Sequence, residues 1–395
     1  MSSTKGVFVK VHAVCCIVFL LSCAANARTN LGGDDYPIVI PFSFVGDHMV
    51  VEATINGQTG RYIFDSGTML SWVRIDTAGL PVSSVSSTMI GGISQRVNVY
   101  SVDNIQFGDA NVRAHSELIS GSDFGQRQDG LLGMGVFEGF WVEMSFSENR
   151  ILLHREKPSR FANASHEPLV MQNELSTLYL TIDINGREVL MGLDTGLQSA
   201  FFFPNDLPNY IAPGDMVGRV LSNWEMGDHY LFRVDSVTAL DRTYNGRLGF
   251  NNSYVAPRRN WESHIDKGLI GVRFLRNYDL LFDYREILHG RTTRMYYIPI
   301  VPPNEREYGF SFITEVPEPG IINIFPSAKG FEVTGILEGS LAYTLGLRPG
   351  NEMTMIDGEP IFNFMEELRD HRFLRTITTI TFLDGYGDEV TVNLR

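Results

Sequence analysis

Asp65-Ser66-Gly67-Thr68 and Asp194-Thr195-Gly196 each put a carboxylate at a tight turn directly after an apolar, strand-like run. Two carboxylates held a few ångströms apart cannot both ionise easily, so they share one proton. The charged member can take a proton from a bound water while the protonated member donates to a carbonyl oxygen. Together they can hydrolyse a peptide bond with no metal, no cofactor and no covalent intermediate. The pair titrates as a unit, so neither role belongs to Asp65 or Asp194 alone.

The neighbouring residues follow the same logic. Gly67 and Gly196 permit close backbone approach beside the carboxylates, and amides there can donate hydrogen bonds to the charged form. Ser66 and Thr195 offer hydroxyls that can brace the two loops against each other. An Asp-Ser/Thr-Gly tripeptide can also be a plain turn. The matched surroundings argue against that here. Ile-Asn-Gly precedes each aspartate at the same ten-residue separation, Ile55 to Asp65 and Ile184 to Asp194. Each then leads through a long middle to a Gly-Leu-x-Gly element, Gly130–Gly133 and Gly268–Gly271, a helix-sized step and a closing hairpin. This is the pattern of an internal duplication.

The elements that must position these residues read as short, alternating and rich in β-branched and aromatic side chains, as in Val97–Val102 and Tyr230–Val234. Long helices are scarce. The sequence therefore predicts an all-β protein: a β-rich two-lobed body over 34–156 and 168–300, joined by a polar linker near Glu156–Pro168. A C-terminal unit over 305–395 follows the proline-rich stretch at Pro299–Pro303. A chain of 395 residues with 44% hydrophobic content can bury cores in each.

The net charge of −14 and the absence of a long basic run exclude nucleic acid as an expected partner. The histidines are scattered without ligand spacing, so no metal site is expected. Residues 1–27 read as an export signal. Lys5 and Lys10 precede the apolar Val11–Leu21, too short to span a bilayer comfortably, and Ala25-Asn26-Ala27 offers a cleavage site. Leu20-Leu21-Ser22-Cys23 also resembles a bacterial lipobox, which leaves a lipid anchor at Cys23 as the one expected route to a membrane. All three cysteines lie in this segment, so the remaining chain carries no disulfide. Together these imply export to the periplasm or cell envelope, with secretion as the alternative.

The two Asp-Ser/Thr-Gly loops with their Gly-Leu-x-Gly partners resemble aspartic proteases of the pepsin and retropepsin kind. The resemblance spans both lobes. It implies an acid-protease-like fold with a two-lobed β-barrel body, Asp65 and Asp194 as the catalytic pair, an endopeptidase acting on polypeptides, and one complete site in a monomeric chain. Met89-Ile90-Gly91-Gly92-Ile93, which begins 24 residues past Asp65, resembles the glycine-rich flap tip of retroviral proteases and is also compatible with a plain hairpin turn. Met216–Val220 is a degenerate counterpart in the second half. Leu197 departs from the family pattern, where Ser, Thr or Ala follows the glycine, so the two aspartates should not be electrostatically equivalent. That departure favours the alternative reading, a non-catalytic peptide-binding or scaffolding protein on the same fold.

Residues 305–395 resemble a bacterial PDZ domain through Gly339–Asn351 and Ile356-Asp357-Gly358-Glu359-Pro360-Ile361. The resemblance implies a partly open β-barrel with short helices. It places a peptide C-terminus against Tyr308-Gly309-Phe310-Ser311-Phe312, and a spacer without a ligand is the plainer alternative.

Overall fold

A computed structural model of the protein describes residues 37–45, 48–90, 93–112, 116–120, 129–172, 177–197, 199–204, 216–222, 229–251, 267–285, 293–300, 320–327, 329–364 and 376–394. The expected export segment, Cys23, Gly91, Gly92 and Tyr308–Phe312 lie outside the described residues. Among the described residues the fold is all-β, with 28 strands and two short α-helices, Val272–Leu275 and Leu341–Thr344.

The Ile-Asn-Gly signals become hairpin turns. His48–Ile55 pairs antiparallel with Gln58–Asp65 through Asn56 (φ 50°) and Gly57 (φ 74°). Thr177–Ile184 pairs with Arg187–Asp194 through Asn185 (φ 54°) and Gly186 (φ 82°). Two successive positive φ angles match the twist of the flanking strands, which is why Asn-Gly closes both. Gly130–Gly133 then runs parallel to Gln58–Asp65, with Gly133 opposite Asp65. Leu269–Gly271 runs parallel to Arg187–Asp194, with Gly271 opposite Asp194. Each glycine-bearing strand is flanked on its other side by an antiparallel one, Ser71–Val73 in the first half and Phe201–Phe202 in the second.

A six-stranded antiparallel sheet joins the halves, in the order Ile38–Val45, Arg150–His154, Trp141–Ser145, Tyr278–Asp283, Thr293–Pro299, Ser165–Gln172. Its central pair takes one strand from each half, Trp141 lying opposite Asp283 and Met144 opposite Leu280. The segment expected as a polar linker in fact supplies an edge strand from Ser165 onward. Its polar residues fit because an edge strand of an antiparallel sheet needs only one apolar face.

Charge locks this junction. Arg160 reaches Glu143 of the first half at 2.5 Å and Asp279 of the second at 3.1 Å. His154 contacts Glu143 at 3.0 Å, and Ser147 donates to Asp279 through its amide and its hydroxyl. Glu143 and Asp279 are buried, so Arg160→Met leaves two carboxylates short of a cationic partner. Arg160 itself is partly exposed, which limits the loss to about 1–3 kcal/mol. Urea unfolding should show a lower midpoint at an unchanged m-value.

One apolar core runs through both halves, and a separate one holds the C-terminal strands together around Val333, Ile336, Met353, Ile356 and Ile380. In that unit Ser340 caps the Leu341–Thr344 helix by accepting from the Tyr343 amide, and Asp357-Gly358 closes the Glu352–Ile356 hairpin. The unit is not independent of the body. Its strand Phe331–Leu337 pairs antiparallel with Met216–Ser222 of the second half, setting Val220 opposite Leu337 and Leu221 opposite Ile336.

Candidate active site

The parallel strands bring the two aspartates to the ends of buried strands, where Asp65 is 3% exposed and Asp194 is 5% exposed. Their loops cross over each other. The Ser66 amide donates to the Thr195 hydroxyl at 2.9 Å, and the Thr195 amide donates to the Ser66 hydroxyl at 3.0 Å. Each hydroxyl then donates onward across the junction, Ser66 to the Leu193 carbonyl and Thr195 to the Phe64 carbonyl. Four buried hydrogen bonds, related by an approximate two-fold, thus fix one loop against the other. A hydroxyl is the smallest group that can accept and donate at once, which is why Ser and Thr fill these positions.

Space between the loops is equally tight. A Cβ added at Gly67 would lie 2.7 Å from the Asp194 Cγ, and one at Gly196 would lie 2.7 Å from an Asp65 carboxyl oxygen. Each glycine therefore faces the aspartate of the other half, and any side chain there would displace a carboxyl group.

The two carboxyls interact directly through a side-chain hydrogen bond. Burial holds the Asp65 carboxyl well above the usual carboxylate range, and the charge of Asp194 and its hydrogen bond push the same way. The amides of Gly67 and Gly196 oppose this by donating to Asp65. A group protonated more readily in the folded than in the unfolded chain lowers stability as pH rises from the ordinary carboxylate value to the raised one. Removing the ionisable group lifts that penalty. Asp65→Asn should therefore be more stable than the wild type at neutral pH, with the difference vanishing below about pH 4, where both states are protonated. Denaturant unfolding at the two pH values checks this.

The aspartates are held unequally. Asp65 accepts from the amide two residues on, Gly67, at 2.7 Å, while Asp194 accepts from the amide three residues on, Leu197, at 3.0 Å. Thr68 exchanges hydrogen bonds with the backbone of Leu70, and Leu197 packs into an apolar cluster with Phe202, Val220, Leu231 and Leu269. The sequence difference after the two glycines is thus a difference in what each loop packs against.

The other expected site residues lie as follows. Val82–Ile90 pairs antiparallel with Ile93–Val102 in a long hairpin whose last described pair is Ile90 opposite Ile93. Met89, Ile90 and Ile93 lie on its strands. Met216–Ser222 and His229–Ala239 form the corresponding hairpin of the second half, with a bulge at Met216–Gly218. Thr177 has a part in the site that sequence reasoning missed. Its buried hydroxyl donates to the Gly67 carbonyl at 2.8 Å, so the second half's hairpin backs the first half's loop. Its signal was positional, since His48 and Thr177 open equivalent strands 17 residues before Asp65 and Asp194 respectively.

An aspartyl protease family model matches residues 51–136, a stretch that holds the Asp65 loop and the Gly130–Gly133 strand. No curated protein matches the chain. The matched stretch ends before Asp194, so the second loop joins the site on geometry alone. The match supports peptidase chemistry at the coarse level.

Proposed function

We propose that this chain is an aspartic endopeptidase built from two duplicated halves, with Asp65 and Asp194 as its catalytic pair. The observation that carries the reading is the reciprocal bracing of the two loops by Ser66 and Thr195, which presents both carboxyls as one buried unit. A water held between the carboxyls loses a proton to the charged member as it attacks the scissile carbonyl, whose oxygen takes a proton from the other member. Collapse of the resulting tetrahedral species returns a proton to the departing amine. The Val82–Val102 hairpin serves as a flap over an extended polypeptide, with Met89–Ile93 at its tip, and excludes water from the closed site. One chain carries one complete site and works as a monomer. The C-terminal unit acts as a PDZ domain that recruits a substrate or partner through a peptide C-terminus at Tyr308–Phe312. Export to the periplasm or cell envelope belongs to the same reading.

Incubating the purified protein with an unfolded polypeptide across acid to neutral pH tests it, with new termini identified by mass spectrometry. Internal cleavage blocked by a statine-type transition-state analogue is expected. Peptide binding with no turnover at any pH would instead favour a peptide-binding scaffold.

A further inference from the structure

The C-terminal unit touches the catalytic apparatus through a short apolar path. Leu337, at the end of its strand Phe331–Leu337, packs on the cluster that contains Leu197, Val220, Leu231 and Leu269. Val220 is fully buried in that cluster and lies opposite Leu337 in the strand pairing. Leu197 is in the same cluster, and its amide is the donor to the Asp194 carboxyl. Two polar contacts pin the same junction. The Glu338 amide donates to the Arg219 carbonyl at 2.9 Å, and the Arg219 and Glu338 side chains approach within 3.8 Å. Gly218 leaves room for the approach, since a Cβ there would come 2.9 Å from the Leu337 Cδ1.

Among the described residues the first half shows no counterpart. Among the described residues its equivalent strand, Val82–Ile90, pairs with Ile93–Val102 alone. Thr68, in the place of Leu197, turns its hydroxyl to the Leu70 backbone. A leucine at 197 therefore makes physical sense: an apolar side chain is needed where the cluster under the C-terminal unit meets the loop.

We propose that Leu337 is a positioning residue for the second carboxyl loop. Through Val220 and Leu197 it fixes the amide that holds Asp194, so the C-terminal unit is a structural part of the cleavage site as well as an appendage to it. This rests on the aspartic endopeptidase reading. Truncating Leu337 lets Val220 and Leu197 relax into the space left behind, and the Leu197 amide withdraws from Asp194. Small misplacements of reacting groups act on kcat.

The test uses the full chain with a fluorogenic peptide, and counts working sites by titration with a statine-type analogue. Leu337→Ala should lower kcat per titrated site about tenfold, with KM within about twofold of the wild type. Leu337→Met, which refills the space, should return kcat to within about twofold. Glu338→Pro removes the amide that donates to Arg219 and should lower kcat in the same direction, which guards against misfolding of a single variant. A purely structural role would reduce the number of titrated sites and leave kcat per site unchanged, and that result overturns the proposal. Where the wild type cleaves and depends on Asp65 while the Leu337 variants match it, only this proposal falls. Where Asp65→Asn cleaves as well as the wild type, the endopeptidase reading falls and takes this one with it.

Discussion

Asp65→Asn and Asp194→Asn should each lower kcat/KM for peptide cleavage by at least about a thousandfold, the range associated with loss of a general acid or base. The expectation follows from the shared proton. Asn keeps the size of Asp and can still donate or accept a hydrogen bond, so the crossed loops should survive. It cannot take the proton of the attacking water, and it cannot deliver a proton to the carbonyl. Because the two carboxyls act as one unit, the double variant should be no worse than either single one, well short of the product of their effects. A stopped assay on a defined peptide decides this. Multiplicative losses would mean two groups working independently, and unchanged rates would mean the carboxyls are not the reacting groups. Asp65→Asn is also the variant expected to gain stability at neutral pH, so a loss of activity cannot be put down to unfolding.

Thr195→Val should give the largest loss of stability of any conservative change near the site. Valine matches the shape of threonine but neither accepts from the Ser66 amide nor donates to the Phe64 carbonyl. Both backbone groups are then buried without a partner, at about 1–3 kcal/mol each. At roughly 2–4 °C per kcal/mol for a body of this size, the melting temperature should fall by about 5–20 °C. Thr195→Ser keeps the hydroxyl and should recover most of it. Thermal unfolding followed by circular dichroism separates the two. A Thr195→Val protein that melts with the wild type would show that the crossed bonds contribute nothing net.

The aspartate pair was legible in the sequence because its signals are local. Asn56-Gly57 and Asn185-Gly186 dictate two-residue hairpin turns through their positive φ angles, and those turns set the register that brings each aspartate to the end of its strand. The bracing role of Ser66 and Thr195 followed from their hydroxyls and from the equal placement of the two loops. Thr177 was harder to see, because its contact with Gly67 crosses 110 residues and a lone threonine at a strand start carries no turn or cap signal. Leu197 was visible as a departure from pattern, but its reason was not. That reason lies in the pairing of Met216–Ser222 with Phe331–Leu337, and edge-to-edge strand contacts between distant segments leave no periodicity to read. The strand beginning at Ser165 was missed for a related cause: one polar face made an edge strand look like a linker.

The central claim is that one chain carries one peptide-cleaving site formed by Asp65 and Asp194 together. Titrating wild-type cleavage of a fluorogenic peptide with a statine-type transition-state analogue tests it most directly, with the protein at a concentration well above the dissociation constant. Activity should fall linearly and reach zero at one inhibitor per chain, and Asp65→Asn and Asp194→Asn should both lose tight binding of the analogue. An end point at one inhibitor per two chains, or full cleavage with the analogue at saturation, would contradict it.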